Sequence, residues 1–342
     1  MTTVIIEDAD DTRAAVQRAL TDMGMTRSVK PGDRVFFKPN LTYPSHRPGV
    51  TTSPHFIRAV LETFADLGAK LTVGEGDGGY GAYPADVAFE GHGLREICQT
   101  FAADLVNLSL APARQEELLV RDEPYPLALP VVLLDETDLF VTLPVPKIHA
   151  MTHYSGAVKN QWGCIPDAMR LKRHPDFTDL IWAVNERLRT GLVIGDARYV
   201  LDRNGPMSGE PVYMNRVVVA DDILACDVTV TEQLMGLRPD DMAYLQAGKR
   251  YGYRWTPDTV DDRSTGPDHQ FVLHRTLRNR LALAAFPRQW AVNLLWCSPV
   301  GDLVHRLFYS IRGNPVVRER IRVEEIARRR RLRLQSRELP TK

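Results

Sequence analysis

The stretch KIHAMTHYSGAVKNQWG, residues 147–163, sets two lysines and two histidines within thirteen positions, with Ser155-Gly156-Ala157 between His153 and Lys159. Side chains of these types do proton and covalent chemistry. An imidazole changes charge near neutral pH and ligates metals through either ring nitrogen. A lysine held in a buried crevice sheds its charge and becomes a nucleophile, a base or a covalent anchor. Lys159, His149 and His153 are therefore the candidate catalytic residues. His149 and His153 stand four apart, which on a helix would put both rings on one face. The metalloprotease pattern needs a glutamate directly after the first histidine, and residue 150 is alanine. His174 adds an imidazole from the same connection, so His174 and His149 are the candidate metal ligands.

Such residues act together only if the backbone gathers them. The apolar runs TVIIE, RVFF (34–37), KLTVG (70–74), DLFVTLPV (138–145), LVIGD (192–196) and RVVVADD (216–222) alternate with amphipathic stretches. That is the pattern of strands feeding crossover helices. Residues 11–24 read as a helix, and so do Pro54 to Leu67, with Ser53 as N-cap and Gly68 as stop. The expected fold is α/β: an open, mostly parallel, Rossmann-like sheet with helices on both faces, followed by a C-terminal helical extension.

In such sheets ligands bind beyond the carboxyl ends of the strands. Lys38-Pro39-Asn40, Gly74-Glu75-Gly76-Asp77, Lys147-Ile148-His149 and Asp196 each follow one of the runs. Lys38, Asn40, Lys147, Asp77 and Asp196 are thus the expected substrate-binding residues, the lysines attracting a carboxylate or phosphate. Lys159, Gly76 and Gly78, with Asn204 and Gly205 of the loop NGPMSGE, are the expected cofactor contacts. GDGGYG (76–81) spells the dinucleotide fingerprint in letters, yet Glu75 and Asp77 would repel a pyrophosphate and no helix opens there. A plain glycine turn explains the same letters.

The chain has 342 residues, with 43 basic and 43 acidic side chains, so no global field draws it to nucleic acid. Residues 312–342 nevertheless hold eleven basic residues against four glutamates, among them Arg312 and Lys342. Cys98, Cys164, Cys226 and Cys297 lie far apart without a CxxC, which encodes neither a zinc ribbon nor an iron-sulfur cluster. Their reduced state suits the cytoplasm. The start MTTVIIEDADD has no basic region and apolar core of a signal peptide, and reads as a strand.

A breaker-rich linker, DDRSTGPDHQ, begins at residue 261, giving an α/β ligand- or cofactor-binding domain over 1–260 and a basic helical extension over 261–342. In the extension, two aromatic-rich amphipathic stretches are interrupted at Pro287 and Pro299, too often for a membrane span. With the arginine tail they suit weak contact with a membrane surface, or packing on the core or a second subunit of a homo-oligomer.

The segments KPNL, GVTTSPHFIRAV, VGEGDGG, KIHAMTHYSGAVKNQWG, NGPMSG and VVVADDILACDV occur in the order and spacing of the domain-of-unknown-function 362 family, and the chain resembles that family over residues 34–255. Many members carry ferredoxin-type cysteine runs; this chain has none, so an iron-sulfur role is not implied. More distantly, the chain is similar to the nickel-pincer lactate racemases, which have a histidine, Tyr-Ser-Gly, an anchoring lysine, an Ile-Leu-Pro step and a nickel-ligating histidine. The matching positions are His149, Tyr154-Ser155-Gly156, Lys159, Ile165-Pro166 and His174. This resemblance implies that Lys159 anchors a tethered nucleotide-like cofactor, that His174 ligates a metal, and that His149 moves protons or contacts the ligand. Where the racemases have a histidine-arginine pair, this chain has the glycine-rich EGDGG. One member of a two-base racemisation pair is therefore missing.

The expectation is an enzyme that binds a divalent metal or a tethered nucleotide-like cofactor. It would transform a small anionic, hydroxy- or amino-acid-like molecule by redox or isomerisation chemistry. The alternatives are a non-catalytic ligand carrier and a peripheral membrane or assembly factor working through the basic tail.

Overall fold

A computed structural model of the chain describes residues 1–296, 298, 299, 301, 303 and 314–338. Cys297, Arg312, Lys342 and part of the second aromatic-rich stretch lie outside the described residues. Twelve strands are described: β1 (Thr3–Asp8), β2 (Arg34–Pro39), β3 (Lys70–Glu75), β4 (Asp104–Asn107), β5 (Ala113–Val120), β6 (Glu123–Pro130), β7 (Leu139–Leu143), β8 (Lys147–His149), β9 (His153–Ser155), β10 (Thr190–Asp202), β11 (Glu210–Ala220) and β12 (Thr259–Asp262). The main sheet runs β12-β1-β11-β10-β7-β2-β3-β4, and β5 and β6 pair apart as a hairpin. Every pairing along the main path is parallel except those of β11, which runs against both β1 and β10. The sheet is thus mostly parallel, and β10 and β11 form an antiparallel pair at its centre.

Alternate side chains of each strand serve opposite faces. Phe37 packs against Val60 and Phe64 of the helix Pro54–Asp66, while its neighbour Phe36 faces Phe140 and the helix Phe177–Leu188. Because both faces are covered, the strands read as unbroken apolar runs. The helix Pro54–Asp66 starts where its sequence signals placed it: the Ser53 hydroxyl accepts from the Phe56 amide, and Pro54 occupies the first turn, where it lacks nothing the helix needs. Gly68 ends it with a φ of +76°.

The boundary expected near residue 260 falls inside β12, which pairs with β1. The loop beyond stays fastened to the sheet: the Arg216 guanidinium donates to Ser264 Oγ and to the carbonyls of Gly266 and Pro267, and Phe271 is buried. Helices take over at Leu277–Ala285, Gln289–Trp296 and Pro315–Glu338. The last returns to the α/β body, where Val323 is buried and Ser45 donates to Glu319. Among the described residues, no helix is long and apolar enough to cross a membrane.

A candidate lysine site beyond the sheet edge

The carboxyl ends of β2 and β3, together with β8, open onto one cavity of about 260 Å³. After β7 the chain crosses Pro144-Val145-Pro146 into the hairpin β8–β9, where Lys147 pairs with Ser155 and His149 with His153. His149 and His153 are therefore cross-strand neighbours rather than helical ones. His149 lines the cavity and His153 does not. The His153 backbone takes a φ of +69°, and its ring lies near Arg275 and Asp241.

Lys159 reaches the cavity from a single helical turn, Ala157–Asn160, whose start is built by a buried carboxylate. Asp227 accepts from the Ala157 and Val158 amides at 2.7 and 2.9 Å and from the Tyr154 hydroxyl at 2.9 Å. Burial pushes its carboxyl up to about 7 while these hydrogen bonds hold it down. Gly156 makes the arrangement possible, because a Cβ there would lie 2.0 Å from the Tyr154 hydroxyl and 2.2 Å from Asp227 Oδ1. Asp227 was missed in the sequence. The available signal was an aspartate set inside the apolar run ILACDV.

The Lys159 Nζ lies 2.6 Å from His149 Nε2 and donates to Thr152 Oγ1 at 3.1 Å. The protonation state follows from the other side of the ring. His149 Nδ1 accepts from the amides of Met151 and Thr152, at 3.1 and 3.3 Å, so it carries no proton. A neutral imidazole then carries its hydrogen on Nε2 and donates it towards Lys159. The amine that accepts must be uncharged. Burial, reinforced by Lys147, depresses the lysine well below its ordinary value, and burial with Lys159 and Lys147 nearby does the same for His149. Hydrogen-bond geometry and electrostatics agree on a neutral lysine beside a neutral histidine.

Three further cationic side chains surround this pair. Lys38 is buried and bound to Glu75 Oε2 at 2.6 Å, and Glu75 also accepts from the Leu41 and Gly76 amides. Gly163 covers that ion pair so closely that a Cβ would fall 2.6 Å from Glu75 Oε1. Lys147 donates to the Val50 carbonyl, and burial with Lys38 nearby lowers its ammonium to about 7. Arg170, which no sequence pattern marks, is buried and donates to the carbonyls of Ile165 and Asp77. It ties the glycine loop after β3 to the segment that follows Lys159.

Most of the expected contacts meet here. Lys38, Asn40, Gly76, Asp77, Gly78, Lys147, His149, Lys159 and His174 all line the cavity. Asp77 also serves its own loop, accepting from the Ala85 amide at 2.8 Å, and Gly78 fits under the Tyr83 ring. His174 is packed by Trp162, Phe177 and Phe286, and its Nδ1 faces the backbone of Arg170 and Leu171 without closing a hydrogen bond. Burial, then Lys159, lowers it to about 4. No group of three or more potential metal-ligating side chains comes together among the described residues.

Three expected contacts lie elsewhere. Asp196 accepts from the Ser53 amide and lines a separate hollow with His46 and Arg198. Asn204 and Gly205 stand behind β8, where Gly205 lets the loop press on the Ile148 carbonyl, and Pro206 alone of that loop reaches the cavity.

Fold and site together define an open-sheet α/β protein with a lysine-bearing cavity beyond the carboxyl edge. A family model described as "Domain of unknown function (DUF362)" matches residues 35–232, more than half of the chain, and the chain belongs to that family. It is 28% identical over 238 residues to a thylakoid-associated protein of Synechocystis sp., a match covering 67% of this chain and 71% of that protein. A solved protein from Thermotoga maritima aligns over 72% of this chain and 60% of its own length, at 12% identity and a TM-score of 0.38.

Proposed function

We propose that this chain is an enzyme that transforms a small anionic, hydroxy- or amino-acid-like substrate by redox or isomerisation chemistry, with Lys159 as its covalent attachment point. The observation that carries the reading is the 2.6 Å contact between Lys159 Nζ and the protonated Nε2 of a neutral His149. A lysine normally meets water as an ammonium, which has no lone pair; here the neutral amine keeps its lone pair, which accepts from His149 Nε2 and is released for bond formation when that contact opens. His149 then holds one proton aimed at the cavity. Lys147 retains donors beyond its bond to Val50 and suits a carboxylate. The cavity volume, about 260 Å³ and just below the roughly 300–1,000 Å³ of small-molecule sites, favours a small substrate.

The shared order of His149, Tyr154-Ser155-Gly156, Lys159 and His174 with the nickel-pincer racemases supports Lys159 as the anchor of a nucleotide-like cofactor. The side chains fit a covalent tether at Lys159 better than a metal held by protein groups alone, since His149 Nε2 is engaged by the lysine. A tethered group would supply an acceptor for electrons or hydride. His174, whose side chain lines the cavity, is the residue here that could approach a metal carried by that group. Three unpaired cysteines, Cys98, Cys164 and Cys226, are buried, in keeping with a reducing cytoplasm.

Intact mass and elemental analysis of protein from its own host test the anchor, and incubation with a panel of small hydroxy and amino acids in D₂O tests turnover by proton NMR. The expected result is an adduct or a trapped substrate at Lys159 and loss of all exchange and turnover in Lys159→Met, with folding intact. An unmodified Lys159, together with variant and parent that behave alike, sinks the reading.

A further inference from the structure

The helix pair Leu277–Ala285 and Gln289–Trp296 has two unlike faces. Its inner face closes on the lysine site. Phe286 packs its ring 4.8 Å from that of His174 and stacks on Trp296 at the same distance. The Tyr80 hydroxyl donates to the Trp296 carbonyl, Gln289 donates to the Lys172 carbonyl, and Ala285, Ala291 and Val292 are buried. Both Tyr80 and His174 line the cavity, so the pair forms part of its outer wall.

The outer face is apolar and faces water. Leu277, Leu281 and Trp290 are 74%, 65% and 67% exposed, and Leu294 and Leu295 almost half exposed. Leu277 and Leu281, and Trp290 and Leu294, are each four apart, so each couple shares one side of its helix. Single exposed leucines are ordinary, but five large apolar side chains on one helix pair need an occupant. Charge identifies it. Between Asp268 and Asp302 the chain has no acidic residue and four arginines, Arg275, Arg278, Arg280 and Arg288. A tryptophan-leucine face flanked by arginines is the composition of a helix lying in the headgroup layer of an anionic bilayer. A symmetric second copy would instead set these arginines against themselves.

We propose that the outer face of Leu277–Trp296 docks on an anionic membrane surface, so that the wall of the lysine cavity doubles as a lipid contact. The surface acts from the described helix pair and does not depend on the arginine-rich tail. Tryptophan enters the interface with its ring among the headgroups, and Arg280 and Arg288 meet lipid phosphates.

The test is flotation of the full chain with phosphatidylcholine vesicles, with and without phosphatidylglycerol. Binding is expected to be at least about tenfold greater to the anionic vesicles and to weaken with salt, as the loss of a few near-surface arginine contacts implies. Trp290→Glu with Leu294→Glu should abolish it, with an unchanged circular dichroism spectrum. Arg280→Ser with Arg288→Ser should remove the preference for anionic lipid while leaving the leucines in place. Absence of flotation by the parent chain overturns the proposal, as does flotation undiminished in the glutamate variant. A dimer in solution that the glutamate substitutions dissolve, without vesicle binding, assigns the face to a second copy instead.

Discussion

At the sheet edge and in the C-terminal helices, the same residue types live under opposite rules. Around the cavity, Lys38, Lys147, Glu75 and Arg170 are withdrawn from water, and each is bonded to a defined partner. In the helix Pro315–Glu338, charges lie open and pair along the surface, as Arg328 and Arg329 do with Glu325. Apolar side chains invert in parallel, enclosed in the α/β body and bared on Leu277–Trp296. The difference teaches where chemistry can be held. A group denied water has its protonation shifted by burial as well as by its neighbours, whereas an exposed apolar face remains available for a partner.

The largest consequence should appear at the buried ion pair. Lys38→Met leaves Glu75 uncompensated among its amide donors, and chemical denaturation should show a loss of about 3–5 kcal/mol. A small loss would mean that water reaches this pair, and the contrast between the two regions would narrow. Gly163→Ala presses a methyl against the same carboxylate and lysine, at 2.6 and 2.9 Å. The expected cost is about 1–3 kcal/mol, with weaker ligand binding, measured by the same unfolding curves and by calorimetry.

Lys147 gives a pH signature of comparable size. Its folded value of about 7 lies below the ordinary 10.5, so between those limits the unfolded chain holds more protons and this lysine's contribution to stability improves as pH rises. A bound carboxylate reverses the preference by favouring the ammonium. Affinity for a small acid should therefore be greatest below pH 7 and fall above it, by up to about tenfold per pH unit, with proton uptake on binding measured in buffers of different ionisation enthalpy. The smallest effect belongs to the exterior. Arg330 pairs with Glu96 while both are more than half exposed. Arg330→Ala should cost under about 1 kcal/mol, and that cost should vanish in high salt.

Much of the body could be read from local signals. Ser53 with Pro54 announces a helix start, Gly68 its end, and the lysines after RVFF and DLFVTLPV announce the sheet edge. What escaped depends on contacts distant in sequence. Asp196 was expected at a strand end, but β10 runs on through it to Asp202, and the Ser53 amide draws its carboxylate into another hollow. Asp227 meets Ala157 across seventy positions, and no local pattern encodes that. The strands β5 and β6 went unread because ARQEELLV is charged and EPYPLALP is rich in proline, which suits a hairpin with exposed edges rather than a buried run. The reversal of β11 likewise changes pairing without changing the apolar pattern of its residues.

The turn between β8 and β9 has one more effect. With two backbone amides occupying one nitrogen of the His149 ring, the imidazole cannot offer hydrogen from either side. On the proposed reading, this ring would deliver a proton to a group held at Lys159 through Nε2 alone.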